Sequence, residues 1–246
     1  MTSPYTHSEL VHNMTAPRHV VPVVLNFVQP SSVLDVGCGT GTWLKAFEEQ
    51  GIKDYLGVDG DYVDRSLLRI PYEKFLPMDI SKPVQLARKF DLVVSLEVAE
   101  HLAAESADTF VRSLVSHGDV ILFSAAIPGQ GGQNHLNEQW PEYWQEKFMK
   151  HGFYFHDLIR PIIWNDGNVD FWYRQNMFLL NRRKPESSFL MMVHPEQFAW
   201  RMNDSREYNE SLMKGRQGIA VSSHIFVNAL KFKLRTLLGL TAKGPK

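Results

Sequence analysis

Between about residues 30 and 182, short apolar runs alternate with polar stretches of helix-compatible composition. Ser32–Val36 is an apolar-rich run that stops at glycine, and Tyr55–Val58 is a second, closed by Asp59 and Gly60. A weaker strand is expected near Phe75–Met78, and Asp91–Ser95 and Asp119–Ala125 read as buried strands. Thr42–Glu49 reads as a helix with Trp43, Leu44 and Phe47 on one side, and Val98–Val115 reads as another. Alternation of this length predicts a parallel sheet with helices on both faces, joined by right-handed crossovers. Gly152–Ile159 and Met177–Asn181 read as two last strands with an aromatic-rich turn region between them. The expected fold class is therefore α/β: a doubly wound, mostly parallel seven-stranded sheet ending in an antiparallel hairpin.

The flanks are expected to be helical. Ser8–Phe27 reads as one or two helices broken near Pro17 and Pro22, capping an edge of the sheet. After Arg183 the pattern is lost: Pro185–Asn209 is mixed, Met213–Ser223 reads as loop, and His224–Leu240 regains helical periodicity. Three segments follow: a cap over 1–29, a main domain over 30–184 and a C-terminal extension over 185–246.

Composition narrows the picture. Hydrophobic residues are 44% of the chain and charged residues 22%, ordinary for a domain with a full core. A net charge of -1 gives nucleic acid no bulk attraction, so it is not an expected partner. The balance is uneven, however: after Glu210 there are seven Lys or Arg residues and no carboxylate. Cys38 is the single cysteine, which excludes an intrachain disulfide and a thiolate zinc cluster. The start, MTSPYTHSELVHNM, lacks the basic and apolar runs of a secretory signal, so a cytoplasmic location is expected.

Chemistry enters at VLDVGCGTG, Val33–Gly41. Gly37, Gly39 and Gly41 follow a strand and open a helix, where glycine admits a ligand onto the backbone and free N–H groups await one. The pattern is GxGxG with Asp35 inside the strand, whereas a dinucleotide fingerprint asks for GxGxxG. An NAD or nucleotide domain is the alternative on the loop alone. VLDVGCGTG closely resembles motif I of the class I (Rossmann-like) S-adenosylmethionine-dependent methyltransferases. That resemblance implies that Asp35, Gly37, Cys38, Gly39, Thr40 and Gly41 surround the amino-acid end of S-adenosylmethionine. It places Asp59 and Gly60 at the ribose, Asp79 and Ile80 at adenine, and Ser95 and Leu96 beside the cofactor. Cys38 has two readings, a thiol activated at a helix N-terminus and a small packing residue.

LEVAEHL supplies Glu97, Glu100 and His101. If a helix begins there, the three share one face at the carboxyl edge of the sheet. The spelling ExxEH resembles the metal motif of the ubiquinone-pathway and small-RNA 2′-O-methyltransferases, the latter completed by a downstream His. His135, in GGQNHLNEQW, stands in a comparable place. Glu97, Glu100, His101 and His135 are thus expected as ligands of Mg²⁺ or a similar cation, or His135, Glu97 and His101 as metal-free catalytic groups. Metal-free methyltransferases with an EH pair here, acting as a cofactor-side acid and a packing His, leave a third reading. Gln133, Asn134, Asn137 and Glu138 offer hydrogen bonds around His135, and Trp140, Tyr143 and Trp144 offer flat apolar faces for a sugar or for the next helix. Trp164–Tyr173 either borders the same pocket or tips a hairpin. Tyr5, His7 and His12 read as a cofactor lid or as solvated helix residues.

The expected activity is methyl transfer from S-adenosylmethionine to a hydroxyl of a small polar acceptor, a sugar or a glycan or natural-product intermediate. The alternatives are N- or carboxyl-methylation and a non-catalytic cofactor-binding partner subunit. In the tail, Phe226, Leu230, Leu234 and Leu237 recur at helical spacing, while Lys231 and Arg235 lie four apart on another face. That helix suits peripheral contact with an anionic membrane. It equally suits packing on the domain or on a second copy in a homodimer.

Overall fold

The computed structural model describes residues 13–237, with side chains through 234; Tyr5, His7 and His12 lie outside the described residues. Two compact units are present, Met1–Gln197 and Phe198–Lys246. The first runs past the boundary expected at 184, because His194 and Gln197 are buried within it.

The first unit is built on a seven-stranded sheet in the order β3-β2-β1-β4-β5-β7-β6. Its parallel strands are β1 (Ser32–Val36), β2 (Asp54–Asp59), β3 (Phe75–Pro77), β4 (Leu92–Leu96) and β5 (Val120–Ser124). All five residues of β1 and of β4 are buried, as expected of parallel strands covered on both faces. Alternate residues serve the two faces. Val33, Leu92, Val94 and Leu122 meet α1 (Thr15–Leu25) and α2 (Thr42–Glu49) on one side. Leu34, Val93, Ile121 and Phe123 meet α3 (Ala107–His117) and α4 (Pro141–Met149) on the other. The chain runs outward from β1 to β3 and returns to β4, so the β1/β4 seam is the switch point where α/β sheets hold ligands.

β6 (Tyr154–His156) and β7 (Phe178–Asn181) pair antiparallel, and β7 also pairs antiparallel with β5. The pairing agrees with expectation; the connection does not. Instead of a turn it carries α5 (Arg160–Ile163) and α6 (Phe171–Asn176), so the Trp164–Tyr173 cluster is no hairpin tip. β6 is short because Asp157, just after it, clamps Arg160 at the start of α5. The Arg160 guanidinium is 1% exposed, donates to the carbonyls of Gln175 and Leu190, and stacks 4.2 Å from the Phe178 ring. Removing one partner of a buried pair leaves the other charge uncompensated, so Arg160→Ala should cost about 3–5 kcal/mol in chemical denaturation. Loss of under about 1 kcal/mol would show the pair to be incidental.

Three further expectations are corrected. α1 is one continuous helix, packed beside α2 on a sheet face instead of capping an edge. Pro17 sits in the first turn, and Pro22 lies on the exposed side, where the carbonyl it leaves unpaired can reach water. Val98–Val115 is not one helix: 3-10 turns at Ala99–His101 and Ala104–Ser106 precede α3. The Glu100 carbonyl, which a helix would give to its own next turn, accepts from the N–H groups of Leu136 and Asn137. In the second unit Met213–Ser223 is not all loop, since α7 (Pro195–Met213) and α8 (Ile219–Leu237) leave only residues 214–218 between them. Among the described residues no helix is long and apolar enough to cross a membrane.

Candidate functional site

At the carboxyl end of β1 the chain turns through Gly37, Gly39 and Gly41, all at positive φ. A Cβ on Gly37 would lie 2.4 Å from a Val98 methyl, so the loop can approach β4 this closely only without a side chain. Asp59, at the end of β2, locks the loop: one oxygen accepts from the Gly39 N–H at 2.7 Å, the other from the Gly60 N–H and the Tyr62 hydroxyl. Asp35 is buried, and its Oδ2 has no hydrogen-bond partner. Thr40 Oγ1, in the same loop, is likewise buried and unpartnered. A buried acid and an orphaned hydroxyl at a glycine turn suit a ligand with an ammonium group and hydrogen-bonding oxygens, as the zwitterionic amino-acid end of S-adenosylmethionine has.

Burial, and secondarily the charge of Asp59, holds the Asp35 carboxyl well above its usual range. An acid whose folded-state value is raised binds its proton more tightly in the fold, so it supports the fold below its unfolded value of 3.8 and penalises it progressively above. Asp35→Asn should therefore raise the melting temperature of the ligand-free protein at pH 8 more than at pH 4. The same substitution should weaken S-adenosylmethionine binding in calorimetry. A pH-independent difference in melting temperature would refute this account of Asp35.

The other expected cofactor residues are placed as follows. Cys38 is buried against Gly57 of β2, and burial pushes its thiol well up, which suits packing and not nucleophilic chemistry. Ser95 is buried and donates to the Val36 carbonyl at 2.9 Å, tying β4 to β1. Leu96 and Ile80 are buried. Asp79 is exposed and bonded locally to Ser81 and Lys82.

Beyond β4 the expected shared helical face is absent, yet three of the four candidate ligands still converge. Glu100, His101 and His135 each bring a ligand-capable atom to within 4.8 Å of the others, and the two imidazoles meet edge to face at 4.8 Å. Neither carboxylate oxygen of Glu100 has a well-formed hydrogen-bond partner. Burial, and then the charge of Glu97, pushes its carboxyl well up. Glu97 stands outside that trio. Its backbone is at φ +54, and its carboxylate accepts from Gln130 at 2.7 Å and from Asn176 at 3.2 Å. Burial raises it to about 7 against those hydrogen bonds. Glu97 and Asn134 are the only non-glycine residues at positive φ among the described residues, and both lie here, as strain at a working site would have it.

His135 is held by a residue whose part the sequence did not reveal. Glu138 accepts from His135 Nδ1 at 2.8 Å and from the N–H groups of Gly129 and Gly131, each at 2.7 Å. Burial raises the Glu138 carboxyl, but the imidazole and the two amides outweigh it and hold the group low. Gly132 lies against the Nε2 edge of the ring: a Cβ there would come 2.3 Å from His135 Nε2, so the loop passes this close only without a side chain. Trp144 is buried on α4 against Phe123, whereas Trp140 is 42% exposed.

A second contribution missed in the sequence comes from α6. The His194 N–H donates to Gln175 Oε1, Gln175 Nε2 donates to Asn176 Oδ1, and Asn176 Nδ2 donates to Gln130 and Glu97. These amides are nearly inaccessible. The only signal was three polar residues, Arg174–Asn176, directly before an apolar strand.

A family model described as a methyltransferase domain matches residues 12–158. No curated protein matches the chain. Among solved structures, it is similar to DesVI of Streptomyces venezuelae, with a TM-score of 0.53 and 17% identity, over 73% of this chain and 100% of that one. It is also similar to the plantazolicin methyltransferase BpumL in complex with a monoazolic desmethylPZN analog and SAH. There the TM-score is 0.50 and the identity 16%, over 70% of this chain and 84% of that one. With more than half of its length matched and its glycine loop, strand order and antiparallel edge as described, the chain belongs to the methyltransferase-domain family, in its class I Rossmann-like form.

Proposed function

We propose that this protein binds S-adenosylmethionine and transfers its methyl group to a hydroxyl of a small polar acceptor, a sugar or a glycan or natural-product intermediate. The observation that carries the hydroxyl reading is the Glu138–His135 pair. A hydroxyl is a poor nucleophile until a base relieves it of its proton. Glu138 fixes the ring through Nδ1, so that Nε2 is the nitrogen left to take the proton. Glu138 also steadies the imidazolium that results. S-adenosylmethionine, when bound, supplies the activated methyl on a sulfonium centre. Asp35, Thr40 and the glycine loop hold its charged end, and Asp59 keeps a spare lone pair on Oδ2 for a ribose hydroxyl.

The test is release of S-adenosylhomocysteine on incubation with a panel of hydroxyl, amine and carboxylate acceptors. Turnover confined to hydroxyl acceptors is expected. Turnover confined to amines or carboxylates would replace the reading by N- or carboxyl-methylation, and tight cofactor binding without any transfer would make the chain a binding subunit.

A second reading rests on its own observation, the gathering of Glu100, His101 and His135 around an unsatisfied carboxylate. These three fit a divalent cation such as Mg²⁺, which would polarise the acceptor oxygen. In that case Glu138 would orient a ligand histidine, a common companion of metal sites. Mn²⁺ calorimetry on the full chain separates the two readings, with no heat of binding expected for the metal-free one.

A further inference from the structure

α8 carries a surface that the methyl-transfer chemistry does not use. Apolar side chains along it stand in water: Phe226 is 69% exposed, Phe232 67%, and Leu230 and Leu234 50% each. At about 100° per residue these positions spread round an arc of about 240°, from Val221 through Phe226 to Val227. The remaining arc holds His224, Asn228 and Lys231. Ser222, Ser223 and Lys233 also lie inside the apolar arc; the serines are small, and the long Lys233 stem can stay with the hydrocarbon while its ammonium reaches outward.

The width of that arc decides what can cover it. One partner helix buries a narrow seam at heptad spacing. The seam through Ile219, Phe226 and Leu230 meets Lys233 a turn later, and Val221, Ile225 and Phe232 would stay in water on the far side. A lipid surface buries the whole arc at once and leaves the polar stripe among the headgroups. Charge points the same way, since every formal charge on the chain after Glu210 is positive, seven Lys or Arg against no carboxylate. Such a segment gains from an anionic leaflet and has nothing to repel it.

We infer that α8 docks lengthwise on anionic membrane surfaces and brings the enzyme to acceptors held there. Its failure is separate from that of the proposed chemistry, because docking is read without turnover. The full chain is floated with vesicles of phosphatidylcholine alone and of phosphatidylcholine mixed with phosphatidylglycerol, at low and high salt. The expected result is flotation with the anionic vesicles only, weakened by salt. Lys231→Glu with Lys233→Glu should weaken it at least about tenfold, and Phe226→Ser with Leu230→Ser should abolish it. Sedimentation without lipid is expected to give a monomer. Absence of flotation, equal binding to neutral vesicles, or a dimer that the Phe226→Ser, Leu230→Ser variant dissolves would each overturn the inference. The last result would give the surface to a second copy.

Discussion

Replacing His135 with alanine is expected to lower turnover by about 10²–10⁴-fold at saturating substrates, the range a positioned general base supplies. S-adenosylhomocysteine affinity should stay within about twofold, because the ring's neighbours are Glu138, His101 and Gly132 and not the glycine loop. Glu138→Gln should follow it part of the way. The amide keeps an oxygen for Nδ1 but can neither steady an imidazolium nor serve both loop N–H groups as a carboxylate does. Near-normal turnover of His135→Ala on the true acceptor would remove both the base and the metal reading. Loss of cofactor affinity in step with turnover would instead make His135 a structural element of the loop.

The second large effect concerns Gly37. At φ +86 a side chain costs about 1–2 kcal/mol. Forcing a methyl against buried Val98 adds about 1–3 kcal/mol of overpacking. Gly37→Ala should thus destabilise the fold by about 2–5 kcal/mol in denaturant titrations. Gly37→Ala with Val98→Ala is expected to recover most of the packing cost but not the backbone cost. Cofactor binding should remain impaired in both, since the loop would still be pushed off its path. An alanine variant of unchanged stability would mean that the loop relaxes freely, contrary to the hold that Asp59 has on it.

The contrast between these sites shows what the sequence could disclose. β1, β4 and β5 are continuous apolar runs because both their faces are covered, and VLDVGCGTG is a local pattern whose spacing carries its own geometry. Asp35 and Asp59 were legible for the same reason. The stretch after Glu97 was not. It has the composition of a helix, and what breaks it is remote: the Glu100 carbonyl goes to Leu136 and Asn137, more than thirty residues on. Glu138 read as one of several polar loop residues, since nothing local says that its carboxylate collects two glycine amides and an imidazole. Gln175 and Asn176 carry no local signal of their own beyond polarity. Their role depends on His194, which approaches from beyond the sheet. The start of α8 was placed late because Ser222 and Ser223 interrupt a periodicity that its exposed apolar side chains otherwise keep.

The amides between His194 and Glu97 all point one way. The first donor is a main-chain N–H, which cannot be turned round, so Gln175 must present its oxygen to it and its NH₂ to Asn176, and Asn176 must in turn present its NH₂ to position 97. The line can end only on an acceptor, and a carboxylate can accept on either oxygen. A glutamine at 97 would have one oxygen for the NH₂ groups of Asn176 and Gln130 and would set its own NH₂ against one of those two donors. The polarity of one backbone amide near the end of the first unit therefore favours an acceptor at the residue next to the switch point, and a carboxylate accepts from both neighbouring amides at once.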